Sequence, residues 1–410
     1  MVGGGIFAVL GLAVVLAGGG APASFLVGGG VALLTAYAYA KLSVAYPSRG
    51  GTVVFVDRAF GVDWATGSLN NLLWISYIVA LSLYAVAFAN YAATFFAGQG
   101  GSVAPLTQHA LISGGILVPA LLNVTSASLV SRMETYVVGI KLAILLAVVA
   151  FGLTSIDASR IAPSTWESPA QIVGAAMLMF VAYEGFELIA NAVPDLKDRA
   201  RTAPRAYYGS VGFVVVLYVL IAIVTVGALS PDQMSAAADF ALAEAARPSM
   251  GHWGFTLVAA SAVLATFSAI NATLFASARL SVTIAEEGEL PAFLKRKVWN
   301  QPLMGLLLTT AAALLLANVA DLSSISTMGS AGFLLIFAAV NAACWRKAKE
   351  IGASRTVAAL GTLACVAALG VLVWHTAQSA PSRLWVLAAM VGLAGVVEFF
   401  VLRRRPSQDG

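Results

Sequence analysis

Residues 1–20 read MVGGGIFAVLGLAVVLAGGG, an apolar helical run that opens with three adjacent glycines at Gly3 to Gly5. Glycine is the poorest helix former after proline, so three of them in an apolar helix call for an explanation. Residues 170–206 read AQIVGAAMLMFVAYEGFELIANAVPDLKDRARTAPRA and again place a glycine, Gly185, before a bulky apolar residue. Two such stretches, 180 residues apart, suggest a chain built from two related halves.

Composition sets the class of protein. Of the 410 residues, 60% are hydrophobic and only 10% are charged, whereas soluble domains carry about 25% charged residues. The apolar residues gather into runs near the ~20 residues that cross a bilayer as a helix, without the alternation of barrel strands. We therefore predict an all-α integral membrane protein with about twelve transmembrane helices, the first of them truncated. Spans 2 to 12 are placed at residues 24–46, 66–97, 109–131, 135–155, 169–193, 205–229, 252–285, 302–319, 323–345, 355–376 and 383–402.

The charges predict the orientation. If the carboxyl terminus is cytoplasmic, only Arg160, Arg247 and Arg383 among the 23 Lys and Arg residues fall on the opposite side, and Lys141 lies inside a span. This asymmetry follows the positive-inside rule, so both termini are predicted to be cytoplasmic, in a multi-pass protein of the plasma (inner) membrane. The same topology explains the net charge of +4, so nucleic acid is not an expected partner.

The glycine-interrupted runs divide the chain. We predict an inverted repeat of five plus five spans, with a first repeat at 1–155, a second at 169–345, two further spans at 355–402 and a cytoplasmic tail at 403–410. Because five is odd, the second repeat is inverted in the membrane, and its interrupted helix, span 6, corresponds to span 1. Secondary transporters use paired broken helices in this way to build a substrate site at mid-membrane.

Five segments carry a family resemblance. They are GGGIF (3–7), YAKLSVAYPSRGG (39–51), FVAYEGFE followed by LKDRARTAPRA (180–206), NATLFASARLSVTIAEEGELPAFL (271–294) and VNAACWR (340–346). In this order and placement they resemble the amino acid–polyamine–organocation (APC) superfamily of permeases. The resemblance implies the LeuT-like fold, with discontinuous helices 1 and 6 and two additional helices at the end.

The resemblance also implies the substrate-binding residues. In that family the backbone amides at the unwound middle of span 1 receive the substrate carboxylate, and the pattern falls on Gly3, Gly4, Gly5 and Ile6. The unwound segment of span 6 maps to Val181, Ala182, Tyr183, Glu184 and Gly185, whose carbonyls would bind the substrate amino group. The competing explanation for the glycines is close helix packing. Because the half-helix expected before Gly3 is missing, Met1 is expected to be an internal methionine, or span 1 to be truncated.

Three intramembrane charges are candidates for coupling and gating. Lys141 on span 5 resembles the lysine that fills the sodium position in proton-coupled members, although it could instead reach the headgroups. Glu187 matches a position that is often acidic, where gating competes with helix-end hydrogen bonding. Glu184 could extend the preference of the pocket toward an amine. A sodium site on span 8 is the alternative to proton coupling; its candidate ligands are Thr266, Ser268, Asn271 and Thr273.

Two loops are expected to matter as well. The segment Ser230–Pro248 begins with a cap-like Ser-Pro-Asp and predicts a short external helix over the pathway. Arg49, Asp57 and Arg58 lie at the predicted cytoplasmic mouth, either as gating charges or as part of a plain solvated loop.

The function predicted from these residues is secondary-active transport of amino acids, foremost neutral ones, by alternating access and coupled to H⁺. The alternatives are an exchanger for amino acids and amines or polyamines, and a substrate sensor that binds without transporting. The expected partners are a small amino acid or amine, the coupling proton and the lipid bilayer. We expect no enzyme activity, no cofactor and no metal site, and Cys344 and Cys365 are expected to pack as small apolar residues.

Overall fold

The computed structural model describes residues 1–96, 103–125, 127–296 and 302–402. The predicted tail at 403–410 lies outside the described residues. The described part of the chain is all-helical apart from an isolated bridge between Gly18 and Trp166. Its helices are α1 Gly4–Ala17, α2 Ala21–Ala45, α3 Thr52–Phe60, α4 Trp64–Ala93, α5 Pro105–Thr125, α6 Ala127–Gly152, α7 Pro169–Leu178, α8 Ile189–Ala192, α9 Arg199–Ala228, α10 Pro231–Ala236, α11 Ala241–Ala245, α12 Arg247–Glu286, α13 Leu303–Val319, α14 Leu322–Lys347, α15 Arg355–Ser379 and α16 Ser382–Leu402.

Most of these helices are long and apolar. Within the described residues, nine helices have the length and composition to cross a membrane, and α1, α7 and α13 are shorter apolar helices. In chain order these twelve correspond to the twelve predicted spans. The all-α, multi-pass architecture is thus confirmed, whereas the count of twelve crossings stays a prediction.

The helix that carries the fifth span begins before that span, whose apolar stretch Tyr136–Ser155 agrees with the predicted 135–155. The expected loop lay at 132–134, between runs 109–131 and 135–155, but α5 ends at Thr125 and α6 already begins at Ala127. The charged residues taken as the loop therefore lie in the first two turns of a helix. Lys141 consequently lies 14 residues into α6, about 21 Å along its axis at 1.5 Å per residue.

Helix pairs five spans apart pack against each other. The paired helices are α1 with α7, α2 with α9, α4 with α12 and α5 with α13. A five-span unit repeated about an axis in the membrane brings counterpart helices together in this way. The packing supports the five-plus-five repeat and its boundaries, which stay a prediction.

The segment after α9 packs on α1. Ser230 caps α10 by accepting the Gln233 N–H, in a capping box with the Gln233 side chain. The segment forms two short helices, α10 and α11, separated by a 3₁₀ turn at Ala238–Phe240, where one helix was predicted. This turn packs so closely on α1 that a Cβ on Gly11 would lie 2.6 Å from the carbonyl carbon of Ala238.

Candidate functional site

The amino-terminal end of α1 carries no side-chain cap. Gly3 is the N-cap residue, its side chain offers no acceptor, and no acidic residue lies in the first turn. The Gly3 N–H donates to the Met1 carbonyl at 2.8 Å. The first N–H groups of any helix lack intrahelical acceptors, and here two of the residues that carry them, Gly4 and Gly5, have no side chain to shield them. This helix end is therefore suited to an anion.

The sixth predicted span is interrupted where expected. The helix α7 ends at Leu178, a 3₁₀ turn covers Phe180–Tyr183, and helical structure resumes only at Ile189. Gly185 has φ +101°, a left-handed conformation that favours glycine. We call residues 179–188 the break.

Serines on α14 satisfy the first backbone groups of the break. The Ser326 and Ser330 hydroxyls donate to the Leu178 carbonyl at 2.7 and 2.9 Å, and the Val181 N–H donates to Ser330 Oγ at 3.0 Å. Further along, the carbonyls of Glu184 and Gly185 accept no backbone hydrogen bond from the described residues. The break is thus least regular around Gly185, where its carbonyls take part in no helical ladder.

The break faces the amino-terminal end of α1. A Cβ on Gly5 would lie 2.8 Å from Ala182 Cα, and a Cβ on Gly185 would lie 2.9 Å from the Met1 backbone nitrogen. The Tyr218 hydroxyl on α9 lies 3.1 Å from the Met1 carbonyl and 3.3 Å from the Ala182 carbonyl, within donating distance of both. The structure therefore brings together the two predicted sets, Gly3–Ile6 and Val181–Gly185.

Two tyrosines of α4 hold the glutamates of the break. The Tyr84 hydroxyl donates to Glu184 Oε1, and the Tyr77 hydroxyl donates to Glu187 Oε1 at 3.1 Å. The other oxygen of Glu187 accepts the Gly185 N–H at 2.7 Å. Sequence reasoning missed both tyrosines. The available signal was their spacing of seven residues, which places two hydroxyls on one face of an apolar helix.

Glu187 fixes the conformation of the break. It is 1% exposed, and its carboxylate joins the backbone at Gly185 to α4 through Tyr77. Removal of either bond would leave a buried polar group unpaired, which costs about 1–3 kcal/mol. The position predicted for gating is therefore built into the hinge between the two halves of the sixth span, and its gating role stays a prediction.

Lys141 lies on a different part of the bundle. Its side chain is 4% exposed on α6, which packs against α12, and α12 in turn packs against α1. On α12, the Thr266 hydroxyl donates to the carbonyls of Ala262 and Val263, so its proton is used within its own helix. Asn271 Oδ1 accepts from Asn123 at 2.7 Å. Neither the proton role of Lys141 nor the sodium alternative is decided by these contacts.

Arg49 and Asp57 are charged residues at the predicted cytoplasmic mouth of the protein. Arg49 forms a 3.1 Å ion pair with Asp195, but both side chains are more than 60% exposed, and such pairs contribute about 0–1 kcal/mol. Asp57 on α3 lines an open cavity of about 710 Å³ with Tyr46, Arg58 and Glu287, and its Oδ1 accepts from Asn70 at 3.0 Å. Burial raises the pKa of Asp57 to about 6, and the charges of Glu287 and Asp63 act in the same direction.

The raised pKa of Asp57 predicts a pH-dependent stability. Because its folded pKa lies above its unfolded one, the folded state holds the extra proton, and stability falls as pH rises from about 4 through 6. We expect Asp57→Asn to match the parent near pH 4 and to unfold at a higher temperature than the parent at pH 7.5. Thermal unfolding of purified protein in detergent at several pH values measures this difference.

Asp63 provides a control, because the stability of its variant should change with pH in the opposite direction. It caps α4 by accepting the N–H groups of Thr66 and Ala65, and these hydrogen bonds hold its pKa below the usual value. Asp63→Asn should therefore destabilise the protein at neutral pH, with a deficit that shrinks as the pH falls. A parallel pH response of the two variants would contradict the assignment for Asp57.

Comparison with known proteins agrees with this architecture. The sequence pattern of the amino acid permease family matches residues 1–396. Inner membrane transport protein YbaT of Escherichia coli (strain K12) is 33% identical over 405 residues, covering 98% of this chain and 93% of that protein. Asc-type amino acid transporter 1 of Mus musculus is 28% identical over 286 residues, covering 66% and 52%. The methylthioribose transporter of Bacillus subtilis (strain 168) is 23% identical over 439 residues, covering 99% and 91%. On the family match and its full-length relative, this chain belongs to the amino acid permeases of the APC superfamily.

Proposed function

We propose that the protein is a secondary-active permease for amino acids, foremost neutral ones, which works by alternating access and is coupled to protons. The observation that carries the proposal is the juxtaposition of an uncapped helix start with a break whose carbonyls at Glu184 and Gly185 accept no described backbone hydrogen bond. An α-amino acid carries a carboxylate and an ammonium group on one carbon. The two helix ends offer N–H donors to the first and C=O acceptors to the second.

In this proposal the amides at Gly3–Ile6 bind the carboxylate and the carbonyls of Val181–Gly185 bind the amino group. Lys141 carries the coupling proton, and Glu187 couples closure of the site to the hinge at Gly185. Both termini are placed in the cytoplasm, with the protein in the plasma membrane. The name of the mouse relative, an amino acid transporter, supports the substrate class, and that of the Escherichia coli relative supports the membrane.

An exchanger for amines or polyamines is the second candidate. Two buried glutamates in the break favour a positively charged group in the site. An amine has no carboxylate of its own, so a carrier of amines does not need the N–H groups of α1 to bind one. A sensor on the same fold would bind substrate without moving it.

Uptake into proteoliposomes tests these possibilities. A radiolabelled panel of amino acids, amines and polyamines is offered to the reconstituted protein with and without an inward proton gradient. We expect uptake of neutral amino acids that becomes concentrative when the gradient is imposed. Uptake that requires an internal amine would instead identify an exchanger. Specific binding without uptake would identify a sensor, and neither binding nor uptake of any amino acid would refute the proposal.

A further inference from the structure

The two glutamates of the break differ in how their oxygens are used. Both oxygens of Glu187 accept hydrogen bonds, one from Tyr77 and one from the Gly185 N–H. Glu184 is 5% exposed, and only its Oε1 is held, by Tyr84. Its Oε2 is buried and accepts no hydrogen bond from any residue that the structure describes. The pair therefore contains one satisfied carboxyl group and one with an open acceptor.

The open acceptor lies beside the proposed binding site. The Tyr84 ring, which anchors Glu184, packs against Gly4, because a Cβ on Gly4 would collide with that ring. The residue after Glu184 is Gly185, which faces Met1. The carboxyl group of Glu184 is thus held between α4, the break and the first turn of α1.

A buried acceptor without a donor is costly. Leaving such a group unpaired costs about 1–3 kcal/mol, and more when the group is charged. Buried polar side-chain atoms usually have a partner in the protein, a water molecule or a ligand. Oε2 of Glu184 is therefore open to a hydrogen-bond donor such as a water molecule or a ligand.

We propose that Glu184 is a specificity-determining residue whose Oε2 receives the α-ammonium group of the substrate. The inference rests on the proposed function, since an amino acid whose carboxylate binds at Gly3–Ile6 carries its ammonium group on the adjacent carbon. Backbone carbonyls recognise an ammonium group only through partial charges, whereas Glu184 adds a carboxyl group held in place by Tyr84. The site should consequently reject α-hydroxy acids, which have a hydroxyl in place of the ammonium group.

L-Alanine and L-lactate test the inference, because they differ only in this group. Binding of each to the purified full chain is measured by calorimetry. We expect the parent to prefer L-alanine by about 100-fold or more, and Glu184→Gln to reduce that preference by about tenfold or more through weaker binding of L-alanine. The matched variant Glu350→Gln, at an exposed glutamate outside the break, should keep the preference.

A second pair of variants covers the case in which Glu184→Gln does not fold. Tyr84→Phe keeps the carboxyl group and removes its anchor, so the preference should fall about threefold or more, whereas Tyr136→Phe, at a tyrosine that is 76% exposed, should retain it. A folded Glu184→Gln or Tyr84→Phe protein with the preference of the parent would overturn the role of Glu184 while leaving the permease proposal standing. A parent that binds neither L-alanine nor any other amino acid would instead refute the proposed function.

Discussion

Valine at position 5 is expected to abolish amino acid binding. A Cβ on Gly5 would lie 2.8 Å from Ala182 Cα and 3.2 Å from Ala182 Cβ, so even the first added carbon forces α1 and the break apart. Valine adds two further methyl groups over the amides that would receive the carboxylate. With those donors shielded and displaced, affinity for L-alanine should fall by about 100-fold or more, a loss of about 2.7 kcal/mol.

Gly30→Val is the matched control for this substitution. Gly30 lies on α2 with its position exposed, and a Cβ there meets no atom within 4 Å. It introduces the same β-branched residue into an apolar helix, so it reproduces any general effect on helix formation. We expect Gly30→Val to bind L-alanine like the parent. A folded Gly5→Val protein with unchanged affinity would count against the site between α1 and the break.

The position of the break could be predicted from the sequence. Gly185 interrupts an apolar run, and the structure gives it φ +101° between a 3₁₀ turn and the short helix α8. The same holds for α1, whose glycines are packed against Ala182 and the Tyr84 ring. At both places a residue without a side chain is required by close approach or by backbone conformation, which is why the sequence pattern carries the information.

The partners of the break could not be predicted in the same way. Tyr84 and Glu184 are 100 residues apart in the chain, and Tyr77 and Glu187 are 110 apart. A tyrosine in an apolar helix can face lipid, the protein core or a binding site. Only the packing of α4 on the rest of the bundle decides among these three environments. The seven-residue spacing indicates that both tyrosines lie on one face of α4, but it does not indicate which residues that face contacts. The open oxygen of Glu184, which carries the specificity argument, is likewise a property of the assembled site.

The fifth predicted span, 135–155, agrees with the apolar stretch Tyr136–Ser155, whereas the helix that carries it begins earlier, at Ala127. Charged residues mark the ends of the segment that crosses the hydrocarbon layer, but a helix can extend past that layer and carry charges in its first turns. The helix α6 has 26 residues, more than the ~20 that a crossing needs. Lys141 lies about four turns inside α6 but only seven residues past Glu134 in the sequence, so the length of α6 does not decide between the coupling role and the alternative that Lys141 reaches the headgroups.

Lys141→Ala is expected to remove concentrative uptake driven by a proton gradient. The amine is 4% exposed, and the helix that carries it packs against α12, a neighbour of α1. If Lys141 binds and releases the coupling proton, alanine leaves no group for it at that position. Some binding and downhill movement of substrate should remain, because Lys141 is not among the residues proposed to hold the amino acid. The measurement is uptake of labelled L-alanine into proteoliposomes at fixed external pH with an inward proton gradient.

Two further variants separate charge from structure. Lys141→Arg keeps a positive charge that does not dissociate in the accessible pH range, so it should uncouple transport as alanine does. Lys349→Ala removes an exposed lysine and should accumulate L-alanine like the parent. An inward sodium gradient should have little effect on the parent, because the ammonium group would fill the space that a sodium ion needs. Proton-driven accumulation by a folded Lys141→Ala protein, or sodium dependence in the parent, would contradict the role of Lys141. Sodium dependence would instead favour the hydroxyl and amide side chains of α12 as ligands of a sodium ion.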